Sequence, residues 1–190
     1  MSKDIKTTHA DSENRIIYIC GEINNSNLSE IIFQLINWIE LDNLSAETIK
    51  EYSRIPIKIF LETYGGDVGL ANNLINIILN SKTPVYTYAL GDCFSAGFLI
   101  FLSGHKRYVG KYGCLMYHQI LSSTYHTCEH IKNFSEKLQN EQDMIEEYIT
   151  EQTKIPISKL KEIRKCQKDW YMGSTEAMEF GIATEIYKGI

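Results

Sequence analysis

No stretch of this sequence is apolar for long enough to span a bilayer, because the longest apolar run, around Phe98–Leu102, is only a few residues long. The first fourteen residues, Met1–Asn14, are polar and contain no apolar segment of the signal-peptide type. The nineteen Lys and Arg residues form no basic patch, and the net charge is −5, which argues against nucleic acid and anionic membranes as partners. We therefore expect a cytoplasmic protein that binds neither.

The sequence also lacks the cysteine spacings of disulfide frameworks and zinc sites. Its five cysteines are an odd number without a C-x-x-C pair, a pattern typical of reduced, mostly buried thiols. His126, Cys128 and His130 lie close together, but no carboxylate with recognisable ligand spacing accompanies them. We predict that the chain holds no metal ion.

The 190 residues, 44% of them hydrophobic and 23% charged, indicate one globular domain with a substantial core. Strand-like runs, glycine turns and amphipathic helices alternate along the first half of the chain, which predicts an α/β fold with parallel strands. In such a fold the turns at the carboxyl ends of adjacent strands lie side by side. The turn Tyr64–Asp67, which contains Gly65 and Gly66, is therefore expected next to the turn at Ser95.

The segment Gly91–Gly97 (GDCFSAG) lies between an alternating apolar run, Val85–Leu90, and a nearly uncharged run, Phe98–Ser103. This pattern predicts a strand, a tight turn and a buried helix that begins at Ser95. Unpaired N–H groups and the positive dipole end at a helix start favour an oxyanion, so Ser95 is a candidate nucleophile, although such a serine is more often only a cap. Cys93 precedes the helix start, and we interpret it as a packed thiol.

A serine nucleophile needs a general base, and the base needs an acceptor that fixes its tautomer. His118 directly follows the strand-like run Cys114–Tyr117, and Asp169 directly precedes an aromatic cluster. Taken singly, each is more often a structural residue. Together with Ser95 they form a candidate catalytic set, with Glu162 a distant second choice for the acid.

A long helix is predicted after His118, because apolar residues recur on one face over roughly six turns. A stripe of that length would leave a large apolar surface exposed, which indicates an interface. Its members are Ile131, Phe134, Leu138, Ile145, Tyr148 and Ile149.

Four ordered blocks of this sequence resemble the ClpP family of serine peptidases, the proteolytic subunit of the ATP-dependent Clp protease. The resemblance covers about residues 15 to 188. The family has S-P-G-G, G-x-A-A-S-M-G, M-I-H-Q-P and D-R-F-M-S-x-x-E-A-x-E-Y-G where this chain has Phe60–Val68, Gly91–Gly97, Met116–Gln119 and Asp169–Gly181.

The resemblance implies a Ser-His-Asp triad in which Ser95 is the nucleophile, His118 the general base and Asp169 its orienting partner. It implies an oxyanion hole formed by the backbone N–H groups of Gly66 and Ala96. The residues that it places around the substrate are Gly65, Phe94, Gln119 and Ile120.

The family's architecture implies a crotonase-like β/α spiral with a projecting "handle" helix, here about residues 120–153 of a single domain 1–190 with a short flexible segment 1–14. In the family, handles join two seven-membered rings into a hollow barrel that degrades unfolded proteins. An AAA+ unfoldase feeds the barrel and alone uses ATP, so no cofactor is expected in this chain. The short amino-terminal segment makes the unfoldase the least secure partner.

Several residues depart from the family pattern, and they predict a reshaped substrate pocket. Tyr64 replaces a proline, Phe94 a small residue, Ala96 a methionine and Ile120 a proline. We expect Ala96 to open space that Phe94 partly refills. Residues 42 to 55 also lengthen an early connection, which is expected to lie on the surface with a possible short helix at 46–52.

Two other functions are compatible with this fold. A structural ring subunit would need no triad, whereas all three triad residues are present here. A crotonase-type acyl-CoA enzyme would use the two backbone N–H donors but would have no use for Ser95 and His118 together.

Overall fold

The computed structural model describes residues 8–125 and 127–189. Strands and helices alternate through the first half of the chain, and a helix of 25 residues dominates the second half. In chain order the elements are β1 (His9–Asp11), β2 (Ile16–Ile23), α1 (Asn25–Thr48), β3 (Ile57–Gly66), α2 (Val68–Leu79), β4 (Val85–Phe94), α3 (Ala96–Leu102), β5 (Lys106–Val109), β6 (Cys114–Tyr117), α4 (Cys128–Gln152), α5 (Ile157–Cys166), β7 (Trp170–Gly173), α6 (Ser174–Glu179) and β8 (Glu185–Ile186).

The strands form one mixed sheet that is parallel at its centre. Its main path runs β1-β2-β3-β4-β5-β8, and every neighbouring pair on this path is parallel except β1 with β2. The strand β6 pairs in parallel with the end of β4 and antiparallel with β7. Because β4 is long enough to pair with both β5 and β6, its carboxyl end is held between β3 and β6.

The core lies between the sheet and the helices that connect its strands. All seven residues of α3 are buried, because this helix packs between β3, β4 and α2. The apolar run that predicted a buried helix is thus buried on every side. The opposite face of the sheet carries a stack of aromatic rings, in which Tyr88 lies 4.5 Å from Phe60 and 4.7 Å from Tyr108 between ring centroids.

The early connection differs from its prediction, because α1 continues without a break to Thr48. The side chain of Asp42 is 97% buried within this helix and accepts two hydrogen bonds of 2.9 Å from Arg15. Hydroxyls of Tyr52 and Thr83 donate to the same carboxylate, each at 2.7 Å. Burial raises the pKa of Asp42, but these hydrogen bonds outweigh it and hold the pKa below its ordinary value. Because its carboxylate is paired with Arg15, Asp42 can be buried, and α1 continues through this position.

The two chain ends also differ from their predictions. His9–Asp11 form a strand that pairs with Ile16–Tyr18, although residues 1–14 were expected to be flexible. Residues 1–7 lie outside the described residues. At the other end, the run Ile182–Tyr187 predicts a final strand, whereas the strand covers only Glu185–Ile186, where it pairs with β5.

The predicted long helix is present as α4, which is 25 residues long. All of its buried residues lie in its second half, from Gln142 to Ile149. In the first half Ile131 is 43% exposed, whereas Phe134 and Leu138 are half-buried. The second half of the helix is therefore anchored in the core, and the first half contributes no fully buried residue.

Candidate active site

Ser95 lies at the junction of β4 and α3 in a strained backbone conformation. Its φ of 55° and ψ of −122° are rarely adopted by residues other than glycine and cost about 1–3 kcal/mol. The Ser95 N–H donates to the Met116 carbonyl at 2.9 Å, so β6 holds the turn in place. The surrounding sheet thus maintains a conformation that presents the serine side chain at the start of a helix.

The hydroxyl of Ser95 makes no capping bond to α3, although capping is the more common role of such a serine. Its Oγ lies 2.8 Å from Nε2 of His118, which follows β6 directly. When the imidazole is neutral with its proton on Nδ1, the hydroxyl donates to Nε2. This is the contact that a histidine base needs in order to take a proton from serine.

The two glycines at the end of β3 allow the backbone to approach Ser95 closely. A Cβ on Gly65, whose φ is +100°, would lie 2.7 Å from the Cβ of Ser95 and 3.1 Å from the Ala96 nitrogen. Gly66 has a φ of +146° and pairs with Ile23 of β2. No side chain fits at either position, and the turn at the end of β3 lies against the turn at Ser95 as the parallel topology predicts.

Two residues whose backbone N–H groups are candidates for an oxyanion hole, Gly66 and Ala96, line the space beside Ser95. The Asp67 N–H donates to the Ile23 carbonyl at 2.8 Å, which holds the turn after Gly66 against β2. Ala96 is the first residue of α3, so its N–H has no acceptor within the helix. Gly66, Ala96, Ser95 and His118 all line one cavity.

This cavity has a volume of about 230 Å³ and is mostly apolar. Of the residues predicted to contact a substrate, Gln119 and Ile120 line it, whereas Gly65 and Phe94 do not. Phe94 instead packs against Tyr64 and Tyr171, with ring centroids at 5.7 and 5.6 Å. The space next to Ala96 is therefore not refilled by Phe94. The lining residues are Tyr64, Gly66, Val68, Ser95, Ala96, Leu99, Tyr117, His118, Gln119, Ile120, Leu121, Gln142 and Ile145.

Asp169 is not hydrogen-bonded to His118. The register of β6 and β7 pairs Met116 with Tyr171 and ends with Tyr117 opposite Trp170. His118 directly follows β6, and Asp169 directly precedes β7. Among the described residues, however, the only hydrogen bond to the Asp169 carboxylate comes from the Tyr171 hydroxyl, at 3.4 Å. Glu162 lies exposed on α5, two turns before Asp169.

Neither the thiols nor the histidines of the described chain form a competing site. Cys93 is fully buried, and burial raises the pKa of its thiol far above the ordinary value, with a further contribution from Asp92. Within residues 8–125 and 127–189, no group of three potential ligands could hold a metal ion. His126, one member of the cluster weighed above, lies outside the described residues.

Comparisons with known proteins agree on one family. Residues 3–189 match the family model described as Clp protease. The chain belongs to the Clp protease family. It is 26% identical over 176 residues to the ATP-dependent Clp protease proteolytic subunit 2 of Treponema pallidum. The aligned region covers 92% of this chain and 82% of that protein. It is 23% identical over 182 residues to subunit 1 of Rhodopirellula baltica, with coverage of 93% and 74%.

The fold is that of solved Clp protease subunits. A ClpP1 mutant from Listeria monocytogenes superposes with a TM-score of 0.77 at 23% identity, over 93% of both chains. The mixed α/β ClpP-like fold predicted from the four blocks is thereby confirmed. In agreement with the absence of long apolar runs, none of the helices described here has the length and hydropathy of a membrane span.

Sequence reasoning missed two sets of residues at the Clp protease site. The Tyr171 hydroxyl donates to the Asp169 carboxylate. Residues two apart in an extended segment share a face, so the spacing of Asp169 and Tyr171 is the sequence signal that could have indicated this contact. Gln142 and Glu146 of α4 lie buried next to Tyr117, where no local sequence pattern distinguishes them from surface residues of the same helix.

Proposed function

We propose that this chain is a serine endopeptidase of a Clp protease assembly that hydrolyses unfolded polypeptides to short peptides. The observation that carries the proposal is the distance of 2.8 Å between Ser95 Oγ and His118 Nε2, made by a serine in a strained turn at a helix start. Backbone strain that the surrounding structure maintains is concentrated at functional sites.

The proposed reaction proceeds through an acyl-enzyme. His118 Nε2 takes the hydroxyl proton as Ser95 Oγ attacks the carbonyl carbon of a peptide bond, and the N–H groups of Gly66 and Ala96 stabilise the oxyanion. His118 then gives the proton to the leaving amine, the C–N bond breaks, and an ester remains on Ser95. His118 next takes a proton from a water molecule, which attacks the ester and releases the acid and the serine hydroxyl. Neither a metal nor a cofactor takes part in these steps.

In this proposal Asp169 orients His118 by accepting a hydrogen bond from Nδ1. The strand pairing supports this role, because His118 directly follows β6 and Asp169 directly precedes β7, which pairs with β6. In the proposed reaction the carboxylate exchanges its hydrogen bond of 3.4 Å from the Tyr171 hydroxyl for one from the imidazole.

Replacing Tyr171 by phenylalanine is therefore expected to raise the rate of peptide hydrolysis about two- to tenfold, since a long, exposed hydrogen bond of about 0.5–1.5 kcal/mol no longer holds the carboxylate. The ring contact with Phe94, at 5.6 Å, is retained. The measurement is kcat for a fluorogenic peptide, and Tyr112→Phe on an exposed turn is the control. A lower rate in Tyr171→Phe would show instead that the hydroxyl supports Asp169 during the reaction.

The assembly that we propose follows the Clp protease family, with two stacked seven-membered rings of this chain in the cytoplasm. The apolar residues that α4 leaves exposed support such an interface, because Ile131 and Met144 are 43% and 69% exposed in the single chain. An AAA+ unfoldase that uses ATP is the proposed partner. Nucleic acid and membranes are not part of the proposal.

The test is labelling with a fluorophosphonate, which reacts only with an activated serine, combined with peptide hydrolysis and with light scattering to measure the mass of the assembly. We expect stoichiometric labelling, located at Ser95 by mass spectrometry, and loss of hydrolysis in proportion. A well-assembled particle that neither reacts nor hydrolyses peptides would overturn the proposal.

A structural ring subunit is the second candidate function. It is favoured by one observation, namely that the Asp169 carboxylate binds Tyr171 and not His118. A subunit of this kind would assemble normally and leave Ser95 unlabelled. The two candidates therefore differ in the reactivity of one residue.

A further inference from the structure

A buried hydrogen-bond network on α4 holds the segment that carries His118 from both sides. The Gln142 Oε1 accepts a hydrogen bond of 2.8 Å from the Ile120 backbone N–H, two residues after His118. Its Nε2 donates at 2.9 Å to the hydroxyl of Tyr117, the residue before His118. Gln142 is 5% exposed and Tyr117 is 2% exposed, so water does not replace these bonds.

Glu146, one turn further along α4, fixes the orientation of the Gln142 amide. Its Oε1 accepts from Gln142 Nε2 at 3.1 Å and from the Tyr117 hydroxyl at 3.5 Å. Because both amide hydrogens of Gln142 then have acceptors, the amide has one favourable orientation, with its oxygen towards Ile120. Burial, and then the charge of Glu146, raise the pKa of the Tyr117 hydroxyl, which therefore stays protonated as a donor.

The same network reaches the segment that carries Asp169. Arg164 of α5 donates to Glu146 Oε1 at 3.4 Å and to Asp143 Oδ1 at 2.5 Å. After α5, Gln167 adopts a left-handed conformation and the chain leads directly to Asp169. The helix α4 is thus joined through side chains to the end of β6 and to α5, the helix that precedes Asp169 and β7.

We propose that Gln142 is a positioning residue for His118, with Glu146 as the group that orients Gln142. Gln142 does not touch the reacting atoms; it sets the path of residues 117–120, and hence the reach of the imidazole to Ser95. A change in α4 at Gln142 is thereby transmitted to the distance between His118 and Ser95. The inference rests on the proposed peptidase function, and its test includes a measurement that does not depend on activity.

The first variant is Gln142→Leu, which keeps about the same volume and removes all three hydrogen bonds of the side chain. We expect kcat for a fluorogenic peptide to fall about ten- to hundredfold with KM changed less than about threefold, because a small misplacement of a base acts on the chemical step. We also expect faster amide hydrogen exchange at Ile120, followed by mass spectrometry of peptides across residues 118–125. The matched control is Gln139→Leu, the same substitution at an exposed position of the same helix.

The second pair of variants exchanges the two groups. Gln142→Glu alone places two buried carboxylates next to each other and is expected to lower kcat as much as Gln142→Leu. Combining it with Glu146→Gln restores one carboxylate and one amide, and the double variant is expected to regain kcat to within about threefold of wild type. The second oxygen of Glu146 has no hydrogen-bond partner among the described residues, so an amide at that atom breaks no existing bond.

The outcomes separate the two proposals. Unchanged kcat and unchanged exchange at Ile120 in folded Gln142→Leu, or a double variant no better than Gln142→Glu, would overturn the positioning role. If Gln142→Leu does not fold, the comparison of the single with the double variant decides. If the wild type itself hydrolyses nothing, the peptidase proposal fails, and the exchange rate at Ile120 still shows whether Gln142 holds this segment.

Discussion

Replacing Ser95 by alanine is expected to lower kcat for peptide hydrolysis at least about 10³-fold, the largest effect that we predict for a single side chain. The hydroxyl is the proposed nucleophile, and the described chain offers no substitute near His118, since the neighbouring thiol of Cys93 is fully buried with a raised pKa. The fold should be unaffected, because the hydroxyl makes no capping bond and its hydrogen bond is to His118.

The measurement compares hydrolysis of one fluorogenic peptide by wild type and by Ser95→Ala at equal protein concentration. Ser53→Ala, at an exposed position in the connection after α1, is the matched control and should keep full activity. Light scattering should give the same particle mass for all three proteins. Activity that persists in Ser95→Ala would assign the hydrolysis to another residue or to a contaminant, whatever the state of the assembly.

The elements around Ser95 were predictable because they depend on local patterns. An alternating run before the glycine turn and a continuous apolar run after it indicate a strand and a buried helix, and both are present as β4 and α3. The alternation of strands and helices then fixes parallel pairing, which brings the end of β3 next to Ser95. Periodicity and topology are sufficient here because apolar residues and glycines carry the pattern.

The elements that differ from the prediction depend on partners distant in sequence. The helix α1 continues beyond Ile39 because Asp42 pairs with Arg15 and Thr83, which no local pattern shows. Likewise Gln142 is buried because its amide donates to the Tyr117 hydroxyl and accepts from the Ile120 N–H. From sequence alone a polar residue is expected to be exposed. Its burial becomes favourable only when a residue distant in sequence provides a hydrogen bond or an ion pair.

For Asp169 the family pattern predicts the backbone position but not the hydrogen bond of the carboxylate. Asp169 directly precedes β7, and His118 directly follows β6, the strand with which β7 pairs. The family pattern has phenylalanine where this chain has Tyr171, and the added hydroxyl is the group that binds the carboxylate. The backbone position follows from the sequence pattern, whereas the choice between two hydrogen-bond donors does not.

Replacing Gly66 by alanine is expected to lower the free energy of unfolding by more than about 3 kcal/mol, a large part of the 5–15 kcal/mol of a typical domain. An added Cβ would lie 2.3 Å from the carbonyl oxygen and 2.8 Å from the nitrogen of Ile23. These are backbone atoms of the neighbouring strand, so no side-chain rotation relieves the clash. The φ of +146° adds strain for any residue with a Cβ.

Urea denaturation followed by circular dichroism measures this loss, with all proteins at the same concentration because assembly contributes to stability. Gly173→Ala is the matched control, since its φ is −82° and an added Cβ would meet nothing within 4 Å. Its stability should stay unchanged or rise by up to about 1 kcal/mol. A Gly66→Ala protein within about 1 kcal/mol of wild type would mean that β2 and β3 can separate at Ile23. The N–H of Gly66 would then lack the fixed direction that an oxyanion donor needs, so this measurement of stability also tests the proposed chemistry.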